Sequence, residues 1–205
     1  MIGRQYPPPP SPSPISVFFS KLFFRIRVLV LLGIIWCCLY AANILSGNRI
    51  AVEYDGGIAE TSSSIQTVET EKYTIFSKEY WQRLNSMAGK DKTKPMPAII
   101  CLVAKSIGIR PYILASREDE GADALRKNWK KYSHAIIFVP EPNDIYDFLE
   151  KEKPLMFMAS SDEAIVQAVK AAVKPVRIKR KSRNHLPGEY NPGKYGETIL
   201  PFSGI

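Results

Sequence analysis

The chain has 205 residues, 45% hydrophobic, 11% aromatic and 23% charged, which suits one globular domain with attachments and excludes a wholly disordered or collagen-like protein. Three cysteines and two histidines, His134 and His185, exclude a disulfide-stapled scaffold and a cysteine- or histidine-rich metal site, so no cofactor is expected. The net charge of +8 divides into +4 over residues 1–27, zero over 46–174 and +4 over 175–205, a neutral body with basic ends that suits anionic lipid and not a nucleic-acid groove.

Residues 1–27 read as a proline-rich basic tail. Six prolines between Pro7 and Pro14 predict a stiff polyproline II rod, either a spacer or a ligand, since Arg4, Pro7 and Pro10 have the R-x-x-P-x-x-P spacing that docks on SH3-type grooves. Residues 28–45 (VLVLLGIIWCCLYAANIL) carry no charge and reach about 27 Å as a helix, enough for one membrane span. Arg4, Lys21, Arg25 and Arg27 precede the span, whereas Arg49 is outweighed by Glu53, Asp55 and Glu60 after it. The positive-inside rule therefore puts the N-terminus in the cytosol, as a single-pass type II signal anchor. The short span suits the endoplasmic reticulum or Golgi membrane. The alternative is the mitochondrial inner membrane, because residues 1–52 contain no acid, although the prolines oppose an amphipathic presequence helix.

Residues 46–71, rich in Ser, Thr, Gly and Glu without a clear period, read as a stalk. Residues 72–181 then alternate helix and strand. Ser77 caps a helix running to Ala88. Pro95 and Pro97 open another through Ile107, apolar nearly all round and so expected to be sandwiched, with Gly108 as its left-handed stop. The strands are 111–115 (PYILA), 134–139 (HAIIFV), 155–159 (LMFMA) and a more polar one from Val176. Between them lie helices over 117–132, 143–151 and 162–173. Unbroken apolar strands between helices predict an α/β fold, a small doubly wound parallel sheet of about four strands behind the transmembrane helix. Residues 182–205, rich in Gly and Pro, read as an irregular basic tail.

A quasi-repeat marks the candidate site. Arg110-Pro-Tyr-Ile-Leu-Ala-Ser116 leads into Arg-Glu-Asp-Glu, and Lys153-Pro-Leu-Met-Phe-Met-Ala-Ser160 leads into Ser-Asp-Glu. Each is a strand, a serine, acids and a helix. Ligands of parallel sheets lie beyond the carboxyl ends of the strands, so Ser116, Arg117, Asp119, Ser160, Ser161 and Asp162 form a candidate polar rim. Helix capping by the serines and Asp162 is the plainer role of the same residues. No G-x-G-x-x-G or Walker phosphate loop and no G-x-S-x-G elbow occurs.

The stretch Lys153 to Val173, with Ala159, Ser160, Asp162 and Glu163 at a strand-to-helix turn, resembles the donor-side half of Golgi fucosyltransferases. The resemblance implies a nucleotide-sugar site of reduced or no catalytic activity, with Ser160 and Asp162 on the donor and Arg117 or Lys105 beside its diphosphate. The family's basic His-x-Arg motif has no counterpart. The alternative is a non-enzymatic membrane adaptor that binds partner proteins through the α/β domain and the polyproline tail.

Overall fold

The computed structural model describes residues 14–71, 73–180 and 189–204. The chain divides into two compact units, Met1–Leu39 and Tyr40–Ile205. In the first, the described residues belong to α1 (Pro14–Ser46), whose stretch Lys21–Ser46 is apolar and long enough to cross a membrane. The expected SH3-type motif, Arg4, Pro7 and Pro10, lies outside the described residues.

In the second unit the last turn of α1 is followed after Gly47 and Asn48 by β1 (Arg49–Glu53). Then come β2 (Ala59–Glu60), α2 (Ser62–Thr70), α3 (Lys78–Ser86) with a 3-10 turn over Met87–Gly89, β3 (Lys92–Thr93) and α4 (Pro95–Ser106). The remainder is β4 (Arg110–Ala115), α5 (Asp123–Trp129), β5 (Ala135–Phe138), α6 (Pro142–Glu152), β6 (Phe157–Ala159), α7 (Asp162–Lys170), β7 (Pro175–Arg177) and β8 (Thr198–Ile199). Six strands form one parallel sheet in the order β5-β4-β1-β6-β7-β8, and β2 pairs antiparallel with β3.

The doubly wound α/β class predicted from the apolar strands is correct, but the sheet is larger than the predicted four strands. Both extra strands come from segments read as irregular. Residues 46–71, expected to be a stalk, instead carry the sheet's interior strand β1, the short strand β2 and the helix α2. Within the expected irregular tail, Thr198–Ile199 adds β8 to the edge.

Alternation along the strands builds a layer on each face of the sheet. Ile50, Val52, Ile113 and Met158 point to one side and pack on Ala98, Cys101 and Ala104 of α4 and on Leu125 and Trp129 of α5. Ala51, Leu114, Phe157 and Ala159 point to the other and pack on Ile145 and Leu149 of α6 and on Ala164, Ile165 and Ala168 of α7. A smaller cluster, Ile65 and Val68 of α2 with Tyr80, Trp81 and Leu84 of α3, forms a separate apolar group. α4 is not sandwiched as expected: Ile99, Leu102 and Val103 are exposed, because only its Ala98–Cys101–Ala104 side meets the sheet. Gly108 does take the left-handed conformation, with φ 83°. A Cβ there would come within 2.6 Å of the Tyr40 carbonyl oxygen, so glycine also permits the close approach of α1's last turns.

Candidate functional site

β1 ends at Glu53, and the chain reverses tightly through Tyr54–Ile58. Gly57 is required there, because a Cβ would overlap the Glu53 carbonyl oxygen. The turn is closed by Ile58 N–H donating to the Glu53 carbonyl at 2.9 Å and Ala59 N–H to that of Tyr54 at 3.0 Å. This carries Glu53 and Asp55 to the carboxyl edge of the sheet between β4 and β6. The chain runs outward from β1 through β4 to β5, then returns to β6 on the other side. The two carboxylates therefore stand at the switch point where open α/β sheets hold their ligands.

Their surroundings differ. Glu53 is buried, and its Oε2 accepts from Ser160 N–H (2.5 Å), Ser160 Oγ–H (3.0 Å) and Ser161 N–H (3.2 Å). Its Oε1 accepts from Ser161 Oγ–H at 2.6 Å. These donors sit at the start of α7, where the helix dipole favours an anion. Asp55 is instead held by a fork from Arg117, Nε to Oδ2 at 3.0 Å and Nη2 to Oδ1. Arg117 is fully buried, and its guanidinium lies 4.9 Å over the Tyr54 ring. Burial acts to lower its pKa, but the charge and hydrogen bonds of Asp55 outweigh it and raise the group above its ordinary value. Behind this pair, Tyr54 Oη–H and Ser64 Oγ–H donate to the two oxygens of Asp91 at 2.6 and 2.5 Å. Burial raises the Asp91 carboxyl above the usual range despite those bonds.

A cavity of about 190 Å³ opens over the two carboxylates. Ser116, Arg117, Ser161 and Arg180 share its polar floor, and Ile65, Ile75, Phe76, Tyr80, Trp81 and Leu84 form an apolar wall. Phe76 stacks on Trp81 with ring centroids 5.7 Å apart. It does so at φ 66°, a conformation rare for an aromatic residue and characteristic of sites where local strain serves a surface. A site of this size holds one six-membered ring with a small polar substituent.

The six residues of the predicted rim divide in two. Ser116, Arg117 and Ser161 line the cavity, and Ser160 stands beneath it on Glu53. Asp119 does not join them; it pairs with Arg126 at 3.5 Å on the surface. Asp162 also turns away, to Asn191 N–H (2.8 Å) and Arg177 (2.9 Å), fastening the C-terminal segment to β7. The capping role holds for Ser161, whose Oγ accepts from Ala164 N–H at 3.3 Å. Lys105, expected beside a diphosphate, lies at the opposite edge, where its ammonium bonds the carbonyls of Lys130 and Ser133. Glu53 and Asp55 were missed because they stand in the supposed stalk. The signal that could have found them is the short apolar run Ile50–Val52, ending in an acid, another acid two residues on and a Gly-Gly turn.

Phosphoryl-transfer sites commonly bind a divalent cation through one or two carboxylates and the substrate's phosphate oxygens. The residues here do not fit one. The Glu53 oxygens are taken by N–H and O–H donors, and Ser160 Oγ sits 3.0 Å from Glu53 Oε2 and 3.3 Å from the Asp55 carbonyl oxygen, so these acceptors already have donors. Among the described residues no group of three or more His, Cys, Asp or Glu side chains could hold a metal. Cys101, buried in α4, has its thiol pKa pushed up to about 12 by desolvation and is chemically inert.

No protein-family model matches the chain, and no curated protein does. Solved structures do match over most of its length. CbbY from Rhodobacter sphaeroides, in complex with phosphate, aligns at TM-score 0.52 and 14% identity over 76% of this chain and 95% of that one. A dehalogenase aligns at 0.51 and 14% over 76% and 93%, and a Thermotoga maritima protein assigned as a beta-phosphoglucomutase at 0.50 and 14% over 76% and 95%. These neighbours are haloacid dehalogenase (HAD)-superfamily hydrolases, and what this chain shares with them is the fold. This corrects the resemblance to fucosyltransferases and, with it, the nucleotide-sugar site and the non-enzymatic adaptor. The strand–serine–acid–helix turn behind that resemblance is what any parallel sheet needs to cap the helix that follows a strand.

Proposed function

We propose that the domain is a hydrolase for small, partly apolar organic molecules, held at a membrane by α1. The observation that carries this reading is the placement of Glu53 and Asp55 at the switch point of a hydrolase fold, beneath a cavity with an aromatic wall. The apolar wall takes the body of the substrate, and its scissile group lies on the floor. Asp55 is the better placed general base or acid. Each of its oxygens receives one Arg117 donor, its side chain is 14% exposed, and it lines the cavity. Glu53 orders the floor by fixing the Ser160–Ser161 turn. No step uses a metal.

The test is turnover by the full chain of an aryl phosphate, an aryl carboxylic ester and a short haloalkanoate, each with and without a chelator. One of these is turned over, the chelator leaves the rate unchanged, and Asp55→Asn lowers it by about a hundredfold or more. A folded protein inert toward all three overturns the reading. The saturation of Glu53 favours a second one, in which the site binds such a molecule without cleaving it. A rise in melting temperature with an aryl ligand, without turnover, selects it.

A further inference from the structure

We infer that the edge of the domain opposite the site is a docking surface for anionic lipid headgroups. This rests on reading α1 as a membrane span but not on the hydrolase reading. In a parallel sheet with right-handed crossovers, every strand starts, and every covering helix ends, at the same edge. Contacts across the turns knit that edge together. Arg110 N–H donates to the Asn48 carbonyl at 3.0 Å, His134 N–H to that of Pro111, Leu155 N–H to that of Arg49 at 2.8 Å, and Phe157 N–H to that of Lys174 at 3.0 Å. Lys105, Lys130, Lys131, Lys153 and Lys174 are all exposed there, with Arg110 half-buried among them. The acids of the same edge are Glu152, engaged by Arg49 at 2.9 Å, and Glu150, which accepts from Tyr146 Oη–H. Glu53, Asp55, Asp91 and Glu163 stand at the other edge. The segment 46–174, neutral in sum, is therefore polarised along its strands.

Helix dipoles favour a lysine at each helix C-terminus. They do not account for Arg110, the first residue of β4, or Lys174, which directly precedes β7, nor for Leu155, 53% exposed beside Lys153. What faces this surface follows from continuity with α1. Within the domain unit, Asn43 of α1's last turns donates its amide to the Ile107 carbonyl at 2.8 Å and accepts from Asn48 Nδ2 at 2.8 Å. Two residues then lead to β1. The end of the apolar helix is thus part of the basic edge, and lysines close to the end of a span meet headgroups, with Leu155 available to enter the interface.

The experiment uses the full chain in lipid nanodiscs of phosphatidylcholine alone or with about one-third phosphatidylserine, with lysine acetylation rates read by mass spectrometry. In the anionic discs Lys131, Lys153 and Lys174 are expected to react at least about threefold more slowly, and about half-molar salt abolishes the difference. Lys90 and Lys92, on the site side, react equally in both. The double substitution Lys131→Glu, Lys153→Glu removes the protection of Lys174. Equal rates at Lys131, Lys153 and Lys174 in the two kinds of disc overturn the proposal. So does protection in both kinds that grows with the number of chains per disc, which marks contact with a second copy. A chain that fails to enter phosphatidylcholine discs overturns the span itself, and with it this surface.

Discussion

Glu53 shows how a single carboxylate can be structural and still sit at the heart of a site. It joins the end of β1 to the start of α7 across 107 residues of chain, through hydrogen bonds that a neutral or shorter side chain cannot replace. Glu53→Ala leaves buried N–H and O–H groups unpaired and is expected to cost about 3 kcal/mol, measured as a shift of the urea midpoint. Ser160→Ala removes one hydroxyl and is expected to cost about 1 kcal/mol. Trp81 belongs to the cavity's wall and is only 8% exposed. Trp81→Phe keeps the fold while removing ring area that faces the ligand, so KM is expected to rise several-fold with kcat little changed, the mark of lost uniform binding. At this scale the sequence was legible where a residue stood in a strong pattern. Ser116, Arg117, Ser160 and Ser161 followed from the strand–serine repeat. Asp119 and Asp162 belong to the same repeat but were claimed by Arg126 and by the Arg177–Asn191 pair, partners far enough along the chain that no local pattern announces them.

Elements with a long apolar run or a clean helical period were readable from the chain, and their predicted bounds fall close to the structure for α3, α4, β4, β5 and α6. β1 was not, because five residues bounded by Arg49 and Glu53 and followed by a Ser/Thr-rich stretch look like linker. Only pairing with β4 and β6 makes them a buried strand. α2 likewise has poor intrinsic propensity in SSSIQTVET and is held through Ile65, Val68 and the Ser64–Asp91 bond. The helix expected over 117–132 is confined to Asp123–Trp129, since Glu118 and Glu120 spend their carbonyls on the Asn85 amide. The junction of α1, α4 and β4 is a sharper test of element packing. Gly108→Ala puts a Cβ at positive φ against the Tyr40 carbonyl and is expected to destabilise the domain by about 2 kcal/mol, lowering its melting temperature by roughly 4–8 °C.

Across the whole molecule, charge is arranged so that stability depends on pH. Burial acts to raise the Asp162 pKa, but the Asn191 N–H groups and Arg177 outweigh it and hold the carboxyl below its ordinary value. Glu197 is likewise held low by the N–H groups of Gly193 and Tyr195 and by Arg177. A carboxyl with a depressed folded pKa stabilises fully above its unfolded value and loses that contribution as pH falls through the folded one. The urea midpoint is therefore expected to fall as pH drops below about 4, and Asp162→Asn to flatten that fall while costing about 3 kcal/mol at neutral pH. Asp91, raised by burial, works with the opposite sign and favours the fold on the acid side. The position of β1 bears also on how the chain is made. It is the first strand synthesised after the apolar helix and an interior one of the sheet, yet its partners Arg110–Ala115 and Phe157–Ala159 come about 60 and 105 residues later. During synthesis it waits with both hydrogen-bonding edges bare, so the nascent chain is most exposed to mispairing until Phe157–Ala159 emerges, and folding is committed late.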